Sequence, residues 1–366
     1  MLFTTSKENL NLAVSAVLRA INPKSIIPLY SCVKIEVKSD LAIFTGAGLD
    51  LSIECSIPVQ AEKEGVTLVP AKYLGDIVRR LPDIPITLEH TESMEMTIRY
   101  EKSIFTLRTM SPEDFPVPDI FGGGLDFTVS ADVLKKLIRQ SSFAASADDL
   151  KGIFTGILWE LEGDELSLIG SDTHRLAWVK GPANNNISDA QGSFIIPARI
   201  ASEISRLILE DHCHIKVDKN TVFFTFDNIK LNCRILEGGF PNFRQVIPKN
   251  FITNVRIESK SLRDATERIS LFTASNDSSS TIHLEIEENT LSIHSQSDIG
   301  FGREEFIIEK SGEDIKISFN SRYITDVFKV TDGDTVNIQF SGQTSAGVIK
   351  EVGDESFLYL ILPVKI

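Results

Sequence analysis

One phrase is written three times in this chain, and it restricts the fold to something assembled from three similar parts. The middle copy, Phe194-Ile195-Ile196-Pro197-Ala198-Arg199 leading to Ile204-Ser205-Arg206-Leu207, reads as a strand that runs into a short helix carrying two arginines. Leu68-Val69-Pro70-Ala71-Lys72, leading to Val78-Arg79-Arg80-Leu81, comes earlier. Ile317-Ser318-Phe319-Asn320-Ser321-Arg322, leading to Val327-Phe328-Lys329, comes later. Other landmarks keep one period. Leu41, Leu166 and Leu291, each in the turn of an apparent hairpin, are spaced by 125 residues, as are Phe115-Pro116 and Phe240-Pro241. Solenoid repeats are only about 20 to 50 residues long, whereas a unit of roughly 100 to 150 residues buries a core of its own. Three domains are therefore expected, at 1–118, 119–246 and 247–366. The first boundary falls in the proline-rich exit from Ser111 to Asp119.

Each copy has the same internal order. Leu10, Ala13, Val14, Val17, Leu18 and Ile21 recur at spacings of three and four, the pattern of an amphipathic helix over 6–22, with Ser6 as its N-cap. The alternating run from Cys32 to Lys38 turns at Ser39-Asp40 and returns from Leu41 to Thr45, a hairpin. Further strands and the repeated strand-helix phrase follow. Helices over 130–142 and 259–272 open the second and third copies in the same way. The fold class is α+β, with two helices packed on antiparallel sheets in each domain.

The chain is 42% hydrophobic and 24% charged, which fits a soluble globular protein. Its N-terminus lacks a basic flank before an apolar run, and no stretch approaches the roughly 18 apolar residues of a membrane span, so a cytoplasmic location is expected. Cys32, Cys55, Cys213 and Cys233 form no C-x-x-C pair and lie in strand-like stretches, the pattern of reduced core thiols. His212-Cys213-His214 resembles a metal cluster. On a strand, however, the histidines face one way and the cysteine the other, leaving too few ligands for structural zinc. No metal or cofactor is expected.

The formal net charge of −14 argues against a polyanionic partner until its distribution is considered. The six expected helices, over 6–22, 71–81, 130–142, 198–209, 259–272 and 320–330, contain 15 Lys and Arg against 7 Asp and Glu. They carry +8 and the remainder carries −22. Glutamate forms helices as well as lysine does, so propensity does not explain this bias. Equivalent basic helices on an acidic protein are the footprint of phosphate contact. Aromatic residues do not alternate with the basic ones, so stacking on single-stranded bases is not indicated.

Ser171-Asp172-Thr173-His174-Arg175-Leu176-Ala177 resembles the T-D-G-H-R-L-A segment of the DNA polymerase III beta subunit family, the bacterial sliding clamps. The linker Phe240-Pro241-Asn242-Phe243-Arg244-Gln245-Val246-Ile247-Pro248, the Asn320-Ser321-Arg322-Tyr323 segment and the Leu362-Pro363-Val364-Lys365-Ile366 ending share the resemblance, which covers the whole chain. It implies a processivity factor: a head-to-tail homodimeric ring of six domains around duplex DNA, held without sequence preference. The implied partners are double-stranded DNA, the polymerase III alpha subunit, the clamp loader, other DNA polymerases and repair proteins with clamp-binding peptides, and a second copy of the chain; no membrane is implied. The partner-peptide pocket maps onto Phe154, Ser171, Thr173, His174, Arg175, Leu176, Pro241, Val246, Asn320, Tyr323, Leu362, Pro363 and Val364, with His174 and Arg175 as a polar rim. DNA-facing residues are expected at Lys24, Lys72, Arg79, Arg80, Lys135, Lys136, Arg139, Arg199 and Arg206. The dimer contact is expected between Phe105 and Leu107 on one copy and Leu271 and Phe272 on the other. The sequence departs from the resembled segment at Ser171 in place of Thr and Thr173 in place of Gly.

Two rival readings compete with this one. Ser171, Asp172 and His174 have the letters of a hydrolase triad, but triads assemble from separate segments, and no G-x-S-x-G, P-loop or G-x-G-x-x-G motif accompanies them. The second is a scaffold that binds no DNA, its basic helices packed on acidic neighbours. The expectation is a protein that is not an enzyme.

Overall fold

In a computed structural model the structure describes residues 1–22, 25–116, 124–186, 191–208, 211–273 and 280–364. Among them six α-helices form where the periodicity places them: α1 (Lys7–Val17), α2 (Ala71–Val78), α3 (Ala131–Ser142), α4 (Ala198–Leu207), α5 (Ser259–Ser270) and α6 (Ser321–Phe328). Ser6 caps α1, its hydroxyl accepting from the Asn9 N–H at 3.2 Å. The helix is shorter than the apolar pattern and tightens into a 3-10 turn at Leu18–Ala20. Pro23 follows in sequence, and a residue before proline is driven out of helical backbone.

The chain gathers into two compact units, and every sheet in them is antiparallel. The first unit comprises residues 1–131, 184–188 and 206–235, the second 132–183, 189–205 and 236–366. The first unit holds a five-stranded sheet in the order Gln60–Lys63, Leu2–Thr5, Ile86–Thr91, Glu95–Tyr100 and Ser103–Arg108. Its second sheet has nine strands. Asn184–Asn185, Leu125–Ser130, His212–Val217, Thr221–Phe226 and Ile229–Arg234 come first, and Leu51–Pro58, Leu41–Ala47, Cys32–Lys38 and Gly65–Pro70 complete it. The joint between five and four is the Ile229–Arg234 strand on the Leu51–Pro58 strand, with Leu231 opposite Ile53 and Cys233 opposite Leu51.

The second unit repeats the arrangement. Gln191–Pro197, Gly156–Glu162, Glu165–Ser171 and Arg175–Pro182 supply four strands of a nine-stranded sheet, and Phe357–Ile361, Gly347–Glu351, Thr335–Phe340, Thr253–Glu258 and Glu309–Gly312 supply five. Here the joint is Arg175–Pro182 on Phe357–Ile361, with Ala177 opposite Tyr359. A four-stranded sheet of Gly300–Ile307, Thr290–Ser297, Thr281–Glu287 and Ile315–Asn320 remains. The short strands Leu2–Thr5, Gln60–Lys63 and Glu309–Gly312 are not legible in the sequence because each is too brief to show alternation.

Helices lie on these sheets through close backbone contact. A Cβ on Gly46 would sit 2.2 Å from the carbonyl oxygen of Val17 at the end of α1. A Cβ on Gly170 would sit 2.2 Å from that of Ser141 at the end of α3. Both glycines occupy the second strand of a hairpin, so only glycine lets the helix end settle there. Val14, Val17, Phe44 and Ile53 lie in the buried interior of the first unit, and Leu134, Ile138, Trp159 and Ile169 in that of the second.

The four cysteines are free and buried. Burial, with the nearby Glu54 carboxylate, pushes the Cys55 thiol up to about 12. Cys213 points into the core while His214 pairs with Asp126 at 2.6 Å, and among the described residues no group of three metal-binding side chains occurs. No described helix is long and apolar enough to cross a membrane.

Candidate functional site

The resembled segment and the C-terminal tail, far apart in sequence, meet in the second unit. The Phe357–Ile361 strand pairs antiparallel with Arg175 to Val179. The tail then continues, the Leu362 N–H donating to the His174 carbonyl at 2.9 Å and the Val364 N–H to the Ser318 carbonyl at 2.8 Å. An apolar tail is costly in water, and here most of it is hidden: Phe357, Tyr359, Leu360 and Ile361 are buried. Leu362 remains 42% exposed and Val246 55% exposed, two apolar side chains open to solvent. Beneath them Leu176, Leu158, Ile169, Ile195, Phe243, Val348 and Leu360 form one core cluster, on which Phe240 packs. Phe154 meets Phe240 edge to face at 5.7 Å, and Phe243 meets Trp178 at 5.3 Å. The linker, from which the sequence offers only Pro241 and Val246 as site residues, thus contributes two aromatic anchors as well.

Arg175 is not a rim residue, contrary to expectation. Its side chain is only 10% exposed, with Nε on Asp172 at 2.9 Å and Nη1 on Asp326 at 2.8 Å. The guanidinium lies 4.6 Å from the Tyr323 ring centroid and 5.6 Å from that of Phe143, within cation–π range. The Tyr323 carbonyl in turn accepts from the buried Tyr359 hydroxyl at 3.0 Å. Burial raises the Asp326 carboxyl, but hydrogen bonds from Lys329 and Arg175 outweigh it and hold the group below the ordinary carboxylate range. Arg175 is therefore the prop behind Tyr323 and the Asp172 turn. His174 is exposed. Asn320 caps α6, its Oδ1 accepting from the Arg322 N–H at 2.9 Å, and so fixes the helix that carries Tyr323 and Asp326.

Asp172, Thr173 and His174 form the loop of a hairpin rather than part of a strand. Asp172 Oδ1 accepts from the His174 and Arg175 N–H groups at 2.9 and 3.0 Å. Ser171 Oγ donates to the Arg175 carbonyl at 2.7 Å and accepts from the Thr173 N–H at 3.3 Å. The hydroxyl and the carboxylate of the supposed triad thus serve the loop's own backbone. Thr173 is held at φ 80°, where a β-branched side chain carries strain on the order of 1–3 kcal/mol. Lys151, which belongs to no sequence motif, donates to the Thr173 hydroxyl at 3.5 Å.

A cleft of about 490 Å³ opens on the other side of the tail, lined by His283, His294, Gln343, Thr344, Pro363 and Val364 among others. Of the expected pocket residues only Pro363 and Val364 reach it. His283 and His294 stack with ring centroids 5.0 Å apart.

The basic positions divide into two groups. Lys72 and Arg199 are exposed at the heads of α2 and α4 with no ion-pair partner among the described residues, and Arg206 is exposed on α4. Lys135 is half-buried on α3. Arg79 and Arg80 lie 3.9 and 3.6 Å from Asp76. Lys136 and Arg139 are already paired, Lys136 with Asp354 at 3.2 Å and Arg139 with Asp332 at 2.7 Å and with the Val330 carbonyl. Lys24 lies outside the described residues.

Two sheet edges carry apolar residues. The Ser103–Arg108 strand has a neighbour on one side only and exposes Ile104 and Phe105, with Leu107 half-buried. The Gly300–Ile307 strand is one of the two terminal strands of the four-stranded sheet. At the end of α5, Leu271 is 72% exposed, while the Phe272 ring lies so close to Gly302 that a Cβ there would meet it at 2.6 Å.

The sequence matches the DNA polymerase III beta subunit N-terminal domain over residues 1–119, the central domain over 128–242 and the C-terminal domain over 244–365. It is 29% identical to the beta sliding clamp of Staphylococcus aureus over 377 residues, covering 100% of this chain and 99% of the relative. The beta sliding clamp of Staphylococcus epidermidis matches to the same extent. Among solved structures, the DNA polymerase sliding clamp of Bacillus subtilis superposes with a TM-score of 0.95 at 29% identity, covering 100% of this chain and 99% of that one. The sliding clamp of Pseudomonas aeruginosa bound to griselimycin gives 0.95 at 25% identity, covering 100% of both chains.

Proposed function

This chain belongs to the DNA polymerase III beta subunit family, the sliding clamps that act as processivity factors, and from that premise we propose how its own surfaces do the work: two copies close a ring on duplex DNA, and a groove on each takes partner peptides. The observation that carries the ring is the repeated joint. In each unit a five-stranded half-sheet meets a four-stranded half-sheet, and nine strands result. One five-stranded and one four-stranded sheet are left over, with Ser103–Arg108 and Gly300–Ile307 as open edges. These are the strands that correspond to the joined ones. A second copy supplies the missing half on each side, and a head-to-tail pair covers both of these edges.

The correspondence also supports the expected contact. Phe105 and Leu107 occupy the places that Leu231 and Cys233 hold in the Ile229–Arg234 strand, and those two are buried against Ile53 and Leu51. Across the intermolecular joint the matching positions are Gly302 and Gly300, both lying under the Phe272 ring. Two glycines leave room for Phe105 and Leu107 to reach that ring. Leu271, standing clear of its own domain, completes the patch. The domains are read as 1–118, 119–246 and 247–366.

Within the ring, the basic helices face the DNA. Lys72, Arg199, Arg206, Arg79, Arg80 and Lys135 offer phosphate contacts, and Lys24 joins them from outside the described residues. Lys136 and Arg139 contribute less, since Asp354 and Asp332 already neutralise them. Such contacts need no base reading, because topology retains the clamp and weak phosphate contact lets it slide. The groove between the exposed Val246, Pro241, Leu362 and His174 and the half-buried Tyr323 takes a peptide with a glutamine near its start and Leu or Phe at its end. Its donors are the polymerase III alpha subunit, the clamp loader, and other polymerases and repair proteins. The griselimycin complex of the Pseudomonas relative favours a ligand groove on this kind of fold. The clamp itself performs no chemistry, and its place is the cytoplasm.

Solution mass and DNA retention test the reading together. A dimer that stays on nicked circular DNA and leaves once the circle is cut is expected. A monomer, or equal retention on circular and linear DNA, would overturn it.

A further inference from the structure

Among the described residues seven non-glycine positions hold a positive φ: Ser39, Met94, Glu101, Thr173, Asp227, Ser280 and Glu288. Thr173 alone among them is β-branched, the class of side chain that tolerates this backbone least. It is also the only one of the seven in the proposed peptide groove. A strained residue persists where its surroundings fix it, and Thr173 is fixed from several directions. Ser171 Oγ holds its N–H, Asp172 caps the two residues that follow, Leu362 of the tail holds the next carbonyl, and Lys151 holds its hydroxyl. The exposed, branched side chain is therefore held in place on the Asp172–His174 loop, and its next neighbour His174 is bonded through its carbonyl to Leu362 of the tail.

We propose that Thr173 is a size gate on the partner groove. It admits peptides with a small residue where they cross the Asp172–His174 loop and rejects those with a bulky one. The inference rests on the groove reading above. A glycine at this position would leave the loop floor open to any side chain, whereas the branched Cβ occupies that space, and a pocket that is one or two methyl groups too small discriminates by about tenfold or more. The hydroxyl serves only to hold the side chain, through Lys151.

The test uses the full-length clamp and a labelled octapeptide that begins with glutamine and ends in leucine and phenylalanine. In a parallel set, each intervening position is made alanine or tryptophan in turn. Wild type should bind the alanine member at least about tenfold tighter than the tryptophan member at one position. T173G should bring that ratio down to about twofold. T173V, which keeps the bulk without the hydroxyl, should preserve it. An unchanged ratio in T173G, or a collapse in T173V equal to that in T173G, overturns the size gate while leaving the groove in place. Failure of every peptide to bind wild type and T173G alike, with the dimer mass intact, overturns the groove and the gate with it.

Discussion

Replacing Arg175 with methionine removes the charge at the centre of the site while keeping an unbranched stem of similar reach. The guanidinium bridges Asp172 and Asp326, whose side chains are 13% and 19% exposed. Methionine strands both carboxylates out of water with their principal cation gone. Breaking a buried pair from one side costs about 3–5 kcal/mol, and removing the cation from the face of the Tyr323 ring adds about 0.5–2 kcal/mol. The total is large against the 5–15 kcal/mol or so that holds a typical domain folded. It should depend on pH with a definite sign. The Asp326 carboxyl is depressed in the folded protein, so its stabilisation is present above the unfolded value near about 3.9 and fades as pH falls through the folded one. The deficit of R175M should therefore be greatest at pH 7 and shrink below about pH 4, as the carboxylate that Arg175 holds ionised becomes protonated and the ion pair is lost from wild type too. Urea unfolding followed by tryptophan fluorescence reads this directly, because Trp159 and Trp178 both lie in the second unit. In the double variant R175M/D326N the losses should fall short of their sum by at least about 1 kcal/mol. A deficit under about 1 kcal/mol at pH 7, or one that stays constant as pH falls, would refute the claim that these ion pairs hold the site together.

Four further outcomes are expected. Leu271→Arg should shift the clamp to monomer at micromolar concentration in sedimentation, with far-UV circular dichroism unchanged, since the side chain is already exposed in the isolated chain. Removing Lys72 and Arg199 together should flatten the slope of log affinity for nicked circular DNA against log salt by about 0.9 for each phosphate that is no longer neutralised; Lys136→Ala should change it far less. A chain ending at Ile361 should keep its dimer mass but no longer bind partner peptides by fluorescence polarisation, because it lacks Leu362, Pro363 and Val364, the proposed groove wall. Native protein at pH 8 should leave all four thiols unreacted with Ellman's reagent, and urea should release them, because burial holds Cys55 at about 12 and raises Cys213 and Cys233 as well.

Much of the fold is legible because it is periodic. The six helices carry their apolar residues at spacings of three and four, Ser6 announces the first of them, and the apolar ending from Phe357 demands a docking partner that Arg175 to Val179 supply. What stays hidden is pairing across long separations. Nothing in the order of residues says that Lys136 meets Asp354 or that Arg139 meets Asp332, so both read as free cations. Arg175 reads as a rim residue for the same reason: its second partner, Asp326, stands on a helix of the next repeat. Lys151 sits in the short 3-10 segment Asp149–Thr155 with no motif around it, and only the fold brings it to Thr173. The glycine in the resembled segment does point to Thr173, and the positive φ gives the physical reason.

The joint between half-sheets has a consequence for how a closed ring can be threaded. Two of the joints in each subunit, Ile229–Arg234 on Leu51–Pro58 and Arg175–Pro182 on Phe357–Ile361, connect pieces of one continuous chain. If either parts, its halves remain tethered and find each other again at high effective concentration. In the proposed ring the joint between subunits is built from the same kind of strand pairing but has no tether, so each closure must offset the full loss of free movement of one subunit relative to the other. Equal pairings thus give unequal latches. In the proposed ring the joints within a subunit are tethered, and the joints between subunits are the ones that can part and rejoin.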